Sequence, residues 1–169
     1  MTIVLIGPPA AGKSRLGKRL ARRLDLPFVD TDAVVTAEHG AIAEIFAQHG
    51  EPYFRRLERA AVAEAVARPG VVSLGGGAVL DPDTRHDLAA TRVVLLTVQP
   101  AVIASRITSG RRPLVTDVES WKRLVEARRP LYESLADYTA DTSSRPIDAI
   151  VDEIARWIED PASKKEPHD

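Results

Sequence analysis

TIVLIGPPAAGKS, which runs from Thr2 to Ser14, decides the fold of this chain. Its first five residues are β-branched or apolar without alternation, as in a strand that is buried on both faces of a parallel sheet. The remaining eight fit the pattern GxxxxGK[ST]. Residues 13–24 then carry leucines at i, i+4 and i+8, which predicts an amphipathic helix. This order of strand, turn and helix is the context that a phosphate-binding loop requires.

The turn predicts a site for the phosphates of ATP. Its backbone N–H groups and the start of the helix would hold the phosphates, Lys13 would neutralise the β- and γ-phosphates, and the Ser14 hydroxyl would bind Mg²⁺. Ala10 stands where many related loops have glycine, and a positive φ there would cost about 1 kcal/mol. The alternative is a strand-to-helix turn that contains glycines by chance. The residues expected to contact ATP here are Gly7, Pro8, Pro9, Ala10, Ala11, Gly12, Lys13 and Ser14.

Apolar runs and helical patterns alternate along the rest of the chain. Further strands are predicted at residues 27–30, 71–74, 92–98 and 138–141, and further helices at 51–67, 101–107, 119–135 and 146–158. Such alternation indicates an α/β fold in which helices flank a parallel sheet.

The length and composition of the chain suit one domain at residues 1–160. The polar tail that follows, at 161–169, is expected to be disordered. The formal net charge is -1, so we expect neither a nucleic-acid partner nor a membrane surface. The absence of cysteine excludes disulfides and thiol catalysis, and the four histidines lack metal-ligand spacing. The apolar run Ile3–Ile6 is too short for a signal peptide, so a cytoplasmic location is expected.

Two carboxylates follow the second predicted strand. Asp30 and Asp32 flank Thr31, and ligands bind at the carboxyl ends of strands in open parallel sheets. One carboxylate could order water around Mg²⁺, and the other could accept a hydrogen bond from a substrate hydroxyl. The alternative for each residue is a helix N-cap.

Two more clusters predict an acceptor site. Arg55 and Glu58 lie on one helix face, and an arginine held by a carboxylate binds a second carboxylate well. Gly75, Gly76 and Gly77 follow Ser73 at a strand end, where glycine lets the backbone approach a ligand closely. A solvated ion pair and a flexible turn are the respective alternatives.

Two late arginines complete the candidate set. Arg112 lies in a polar loop, where it could close over the transferring phosphoryl group, or could simply be solvated. Arg128 could reach an anionic acceptor from a helix, which we expect Pro130 to kink or interrupt.

Taken in order, these motifs resemble the shikimate kinase family. They are GxxxxGKS, DTD, GExxFRxxE (Gly50 to Glu58), SLGGG, RPL and RxPLY, and the match spans residues 3–158. The resemblance implies a three-layer α/β/α fold with a five-stranded parallel sheet. It also implies an acceptor-binding segment at about 31–60 and a lid at about 108–118. The implied reaction is the transfer of a phosphoryl group from ATP to the 3-hydroxyl of shikimate, with Mg²⁺, in chorismate and aromatic amino acid biosynthesis. A monomer is expected.

On the acceptor side, the resemblance implies a role for each matching residue. Asp32 would contact the shikimate hydroxyls and act as a base or position them, while Arg55 and Arg128 would bind the carboxylate. Gly75, Gly76 and Gly77 would line the pocket.

On the nucleotide side, Lys13 and Arg112 would be catalytic, and Asp30 and Ser73 would reach Mg²⁺ through water. Arg106 would stack on adenine, and Arg145 with Pro146 resembles the other loop beside adenine. Arg15 is also expected to contact ATP, as are Arg106, Arg112, Arg145 and Pro146. It stands in the loop in place of a common threonine, and Ala10 and Ala11 stand in place of the usual glycine and serine.

Rival functions remain open on the residues alone. A sugar acid such as gluconate also offers a hydroxyl and a carboxylate, so only the motif order disfavours it. A nucleoside monophosphate acceptor would need a base-reading pocket, for which no pattern is evident. A non-catalytic nucleotide-binding paralogue would typically lack one of the charged residues, and here all are present.

Overall fold

A parallel sheet forms the centre of the computed structural model, which describes residues 1–107 and 117–163. In these residues its strands follow the spatial order β2-β3-β1-β4-β5, and every pair of neighbours is parallel. The prediction of a five-stranded parallel sheet is confirmed, and strand ends move by at most one residue. The strands are β1 (Thr2–Ile6), β2 (Phe28–Asp30), β3 (Gly70–Ser73), β4 (Arg92–Thr97) and β5 (Tyr138–Asp141).

Eight α-helices connect the strands within the described residues. They are α1 (Lys13–Leu24), α2 (Thr31–His39), α3 (Ile42–His49), α4 (Glu51–Val66), α5 (Pro82–Leu88), α6 (Pro100–Ile103), α7 (Val118–Leu135) and α8 (Ile147–Glu159). The sequence patterns predicted α1, α4, α7 and α8 closely. They missed α2, α3 and α5, and the helix predicted at 101–107 ends at Ile103.

The helices cover both faces of the sheet, which gives three layers. Ile3 and Leu5 of β1 pack on one side with α1, α8 and the N-terminal part of α7. Val4 and Ile6 point to the other side, where they meet α4, α5 and the C-terminal part of α7. Strands β1, β3 and β4 are buried on both faces, as their apolar sequence predicted, whereas the edge strands β2 and β5 are partly exposed.

Two local predictions need correction. Helix α7 runs past Pro130 without interruption, because Trp121, Val125 and Tyr132 are all buried and fasten both halves to the core. Residues 161–163 form a 3₁₀ turn and are not a disordered tail, because the Arg92 guanidinium donates to the Ser163 carbonyl at 3.1 Å. The rest of the predicted tail, 164–169, lies outside the described residues. No helix among the described residues is long and apolar enough to cross a membrane.

Candidate active site

The loop after β1 needs glycine at both ends. Gly7 has φ +142°, and a Cβ there would come within 2.2 Å of the Leu96 carbonyl oxygen. Gly12 has φ +88° and caps the N-terminus of α1. Between them, Ala10 has φ +67°, so the position suspected of left-handed backbone does adopt it. The loop therefore holds a strained alanine that other contacts must stabilise.

The Lys13 ammonium folds back over this loop. It is buried and donates to the carbonyl oxygens of Gly7 at 2.8 Å and Pro8 at 2.9 Å. These two bonds hold a positive charge at the start of the turn, where a phosphate bound by the loop amides would meet it.

Ser14, Asp30 and Ser73 lie together beside the loop. The Ser14 hydroxyl donates to Oδ2 of Asp30, while Oδ1 of Asp30 accepts from the Ala33 amide at 3.2 Å and caps α2. Asp30 is thus a helix cap and a partner of Ser14 at once. Asp30 also pairs in register with Ser73 across β2 and β3. This hydroxyl and carboxylate set is of the kind that Mg²⁺ prefers.

One cavity of about 360 Å³ joins the loop to the predicted acceptor residues. It extends from the start of α1 to α4, to the glycine segment (residues 75–77) and to α7. The sequence-predicted residues that line it are Pro9, Ala10, Gly12, Lys13, Ser14, Arg15, Asp30, Asp32, Arg55, Ser73, Gly75, Gly76, Gly77 and Arg128. The sequence patterns did not single out the apolar part of the wall, which is Ile42, Phe46, Phe54, Leu74 and Leu124.

Arg55 is fixed by two carboxylates. Its Nη1 donates to Glu58 at 2.9 Å, the predicted i, i+3 contact, and its Nη2 donates to Glu51 at 3.1 Å. Burial raises the pKa of Glu58, which is only 3% exposed, and the attraction of Arg55 offsets this in part. Burial alone would lower the pKa of Arg55, but both carboxylates raise it above its usual value. Arg55 is therefore a permanent cation held at the cavity wall.

Each glycine of this segment lies close to the side chain of a different residue. A Cβ at Gly75 would lie 2.7 Å from Oδ1 of Asp32, and one at Gly76 would lie 3.0 Å from Cδ of Pro9. A Cβ at Gly77 would lie 2.5 Å from both terminal nitrogens of Arg55. The absence of side chains here lets Asp32, Pro9 and Arg55 pack closely against the backbone of residues 75–77.

Helix α7 presents Arg128 from the opposite wall. Arg128 is 6% exposed, and one turn later the Tyr132 hydroxyl donates to the Gly76 carbonyl oxygen at 2.5 Å. Burial raises the pKa of Tyr132, although Arg128 opposes the shift. The hydroxyl therefore stays protonated and keeps the glycine segment in place. Tyr132 belongs to the quoted RxPLY motif, but no role for it was predicted.

A second cavity of about 400 Å³ lies beyond the loop, near β5 and α8. Its lining includes Arg15, Arg106 and Arg145, three of the residues predicted for ATP. Arg106 donates to the Ala10 carbonyl oxygen at 3.3 Å, and Arg145 pairs with Glu153. Pro146 is the N-cap of α8 and does not line this cavity.

Arg112 lies outside the described residues, as does most of the predicted lid, at 108–116. No group of three or more histidine, aspartate or glutamate residues that could hold a metal ion occurs in residues 1–107 and 117–163.

Comparison with known proteins decides the family. The family model described as shikimate kinase matches residues 9–159. The chain belongs to the shikimate kinase family. A shikimate kinase of Corynebacterium efficiens is 44% identical over 163 residues, which are 94% of this chain and 96% of that protein. A shikimate kinase of Thermobifida fusca is 45% identical over 160 residues, 92% of this chain and 93% of that one.

A solved structure extends the likeness to three dimensions. Shikimate kinase from Acinetobacter baumannii, determined in complex with shikimate, superposes with a TM-score of 0.89 at 30% identity, covering 94% of this chain and 92% of that one. The family and the fold predicted from the motif order are both confirmed.

Proposed function

We propose that the protein transfers the γ-phosphoryl group of ATP to the 3-hydroxyl of shikimate, giving shikimate 3-phosphate and ADP. This reaction belongs to chorismate and aromatic amino acid biosynthesis. Membership of the shikimate kinase family supports the reaction. The main support from the structure of this chain is one cavity. Lys13 and Ser14 of the phosphate loop line it together with Asp32, Arg55 and Arg128.

The acceptor is held by charge. Shikimate carries one carboxylate and three hydroxyls, and Arg55 and Arg128 supply two cations to the cavity for the carboxylate. Glu58 and Glu51 hold the Arg55 guanidinium in one orientation, so little side-chain entropy is lost on binding. Asp32 accepts hydrogen bonds from the substrate hydroxyls.

The nucleotide is held by the loop. Lys13, which donates to the Gly7 and Pro8 carbonyl oxygens, exchanges these partners for the β- and γ-phosphates. Ser14 would hold Mg²⁺ directly, and Asp30 and Ser73 would hold it through water. An Mg²⁺ ion held by these residues would supply positive charge that offsets the charge of the phosphate groups.

The transfer step depends on positioning and charge. Phosphoryl transfer passes through a loose transition state, so placing the hydroxyl in line with the γ-phosphate supplies much of the rate. Asp32 orients this hydroxyl and takes up its proton as the bond to phosphorus forms. Lys13, together with Arg112 from the predicted lid, offsets the charge on the transferring group.

The adenosine end extends toward the second cavity. Arg106 and Arg145 line it, and Pro146 begins the helix beside it. We assign Arg106 to one face of adenine, with Arg145 and Pro146 on the other, and Arg15 to the nearby phosphates. Arg15 lines both cavities, as a residue between phosphate and adenosine should.

The proposal also assigns segments and setting. Residues 31–60, which contain α2, α3 and the start of α4, bind the acceptor, and residues 108–118 form the lid. Lid closure excludes water and so suppresses ATP hydrolysis. We assign the enzyme to the cytoplasm as a single-domain monomer, with no nucleic-acid or membrane partner.

ADP release in the presence of MgATP tests the function. The acceptors are shikimate, gluconate and AMP, and a no-acceptor arm measures hydrolysis. Strong stimulation by shikimate alone is expected. Stimulation by gluconate or AMP instead would assign another acceptor. Nucleotide binding without stimulation by any acceptor would indicate a non-catalytic paralogue.

A further inference from the structure

Three successive carbonyl groups of the phosphate loop each accept a hydrogen bond from a different part of the chain. Trp121 Nε1 of α7 donates to the Pro9 carbonyl oxygen at 2.7 Å. Arg106 Nη1 donates to that of Ala10 at 3.3 Å. Thr142 Oγ1, just after β5, donates to that of Ala11 at 2.8 Å. Lys13 holds the two preceding carbonyl groups of the same loop.

A carbonyl that is held in this way also fixes the amide that follows it. All peptide bonds of the described residues are trans, so each carbonyl and the next N–H point in opposite directions. Trp121 therefore sets the direction of the Ala10 amide, and Thr142 sets that of the Gly12 amide. The Ala11 amide between them already donates to the Pro8 carbonyl oxygen at 3.3 Å. Among the amides of residues 10–12, those of Ala10 and Gly12 remain for phosphate, beside the amides at the start of α1.

The Thr142 hydroxyl lies within donating distance of two carbonyl oxygens, that of Ala11 at 2.8 Å and that of Thr97 at 3.0 Å. The Thr97 carbonyl oxygen also accepts the Thr142 backbone N–H at 2.8 Å. The Ala11 carbonyl oxygen is the closer of the two acceptors and is the one that belongs to the phosphate loop. Thr142 is 8% exposed, so water competes little for this bond.

Trp121 is even better protected. It is 1% exposed and belongs to the buried core cluster that also contains residues of β1, α1 and α8, while its N–H reaches the loop. A buried indole N–H normally needs one partner, and here the partner is the Pro9 carbonyl oxygen. The contact stabilises a loop that contains a left-handed alanine.

We propose that Trp121 and Thr142 are positioning residues for phosphoryl transfer, because they direct the Ala10 and Gly12 amides toward the phosphates of ATP. Amides aimed before the substrate arrives need no reorganisation during binding or transfer, and such preorganisation is a large part of catalysis in closed sites. The inference rests on the proposed function, in which the loop binds ATP. Neither residue lines the cavity that contains Asp32, Arg55 and Arg128, whereas Thr142 lines the second cavity beside Arg106.

Thr142 offers a matched pair of variants. Thr142→Val keeps the shape and removes the hydroxyl, whereas Thr142→Ser keeps the hydroxyl. We expect Thr142→Val to raise the Kd for ADP and the KM for MgATP by about five- to tenfold, the usual effect of one lost hydrogen bond. The Kd for shikimate should stay within about twofold. Thr142→Ser should restore nucleotide affinity, because its hydroxyl reaches the same carbonyl.

Trp121→Phe supplies an independent variant if Thr142→Val does not fold. It removes the N–H and keeps a buried ring, and Trp157→Phe controls for replacing a tryptophan far from the loop. Trp121→Phe should weaken ADP binding and leave shikimate binding intact, while Trp157→Phe should change neither. All variants are compared at temperatures well below their midpoints of thermal unfolding.

The outcomes separate this inference from the proposed function. Failure of the wild-type protein to bind ADP or MgATP would overturn the proposed function itself. Normal wild-type binding, with Thr142→Val or Trp121→Phe retaining wild-type nucleotide affinity, would overturn the positioning role alone. Equal losses in Thr142→Val and Thr142→Ser would also overturn it, because the hydroxyl would then not be the cause.

Discussion

The guanidinium of Arg55 lies against Gly77 so closely that a Cβ there would come within 2.5 Å of both terminal nitrogens. Arg55 also bonds to Glu58 and Glu51, so three neighbours fix it. The orientation of this cation is therefore set before any acceptor arrives. This orientation depends on Gly77, a residue without a side chain.

Gly77→Ala should therefore disturb the position of the Arg55 side chain without replacing Arg55. The new methyl group displaces the guanidinium, and we expect the Kd for shikimate to rise at least about tenfold, as when a charged hydrogen bond is lost. ADP affinity should stay near that of the wild type, since the atoms nearest to the new methyl group all belong to Arg55. Isothermal titration calorimetry with shikimate and with ADP measures the two affinities separately. Unchanged shikimate affinity would mean that Arg55 is not needed in its observed place.

Arg55→Ala tests the carboxylate assignment directly. It should raise the KM for shikimate by about ten- to a hundredfold with little effect on the KM for MgATP. Arg56→Ala is the matched control, since Arg56 is exposed on the same helix and does not line the cavity. Steady-state kinetics should also include the amide of shikimate. An equal loss for this neutral analogue would argue against an Arg55–carboxylate contact.

The buried Glu58 should give the enzyme a pH-sensitive acceptor site. Its raised pKa means that it takes up a proton at a higher pH than an ordinary glutamate, and Arg55 then loses one of its two charged partners. We expect kcat/KM for shikimate to fall on the acid side, beginning above the usual glutamate range of about 4 to 5. Glu58→Gln should lack this limb. If the limb survives in Glu58→Gln, another group such as Asp32 causes it.

Folding stability should respond to Glu58 with the opposite sign. Because the folded state holds the Glu58 proton more tightly than the unfolded state, this residue stabilises the fold fully at low pH. That contribution is lost as the pH rises through its folded-state pKa. The difference in unfolding free energy between the wild type and Glu58→Gln should therefore shift in favour of the wild type on acidification. Urea titrations between pH 4 and 8 would measure it. Protonation of Glu58 by itself would therefore not unfold the protein in acid.

Lys13→Ala should nearly abolish turnover. Removing the ammonium leaves the β- and γ-phosphates without their main cation, and we expect kcat to fall by about two to three orders of magnitude. Lys18→Ala, an exposed site on the same helix, is the control. Single-turnover kinetics at saturating MgATP report the chemical step. Wild-type turnover in Lys13→Ala would remove Lys13 from the mechanism.

Sequence patterns predicted the parts of the fold that periodicity controls. The strands and α1 have unbroken apolar runs or a clear leucine stripe, so their bounds were close. The residue patterns did not predict helices α2 and α3, because both are short and only Gly40 and Ala41 separate them. The first of them is also rich in β-branched residues, which have low helix propensity.

The candidate site divides in the same way. Motif residues such as Arg55 and Gly77 were predicted because their chemistry is visible in the sequence. The loop contacts of Trp121 and Thr142 were not, since they bridge 112 and 131 residues and end on backbone carbonyl groups. A carbonyl is present at every position and so leaves no mark in the sequence. Only tertiary packing selects which ones are held.

Ala10→Gly should stabilise the protein. Ala10 has φ +67°, where an L-residue with a Cβ loses about 1 to 2 kcal/mol that glycine does not. Glycine gives back about 0.5 to 1 kcal/mol through the greater freedom of the unfolded chain. We therefore expect a net gain of about 0.5 to 1 kcal/mol in unfolding free energy, measured by urea titration without nucleotide.

Asp25→Gly provides the comparison for this substitution. Asp25 is the other non-glycine residue with positive φ in the described part of the chain, at φ 54° beyond the end of α1. Aspartate tolerates the left-handed region better than alanine, so its replacement should gain less. A loss of stability in Ala10→Gly would mean that the methyl group of Ala10, which packs against the core beneath the loop, contributes more than its backbone strain costs.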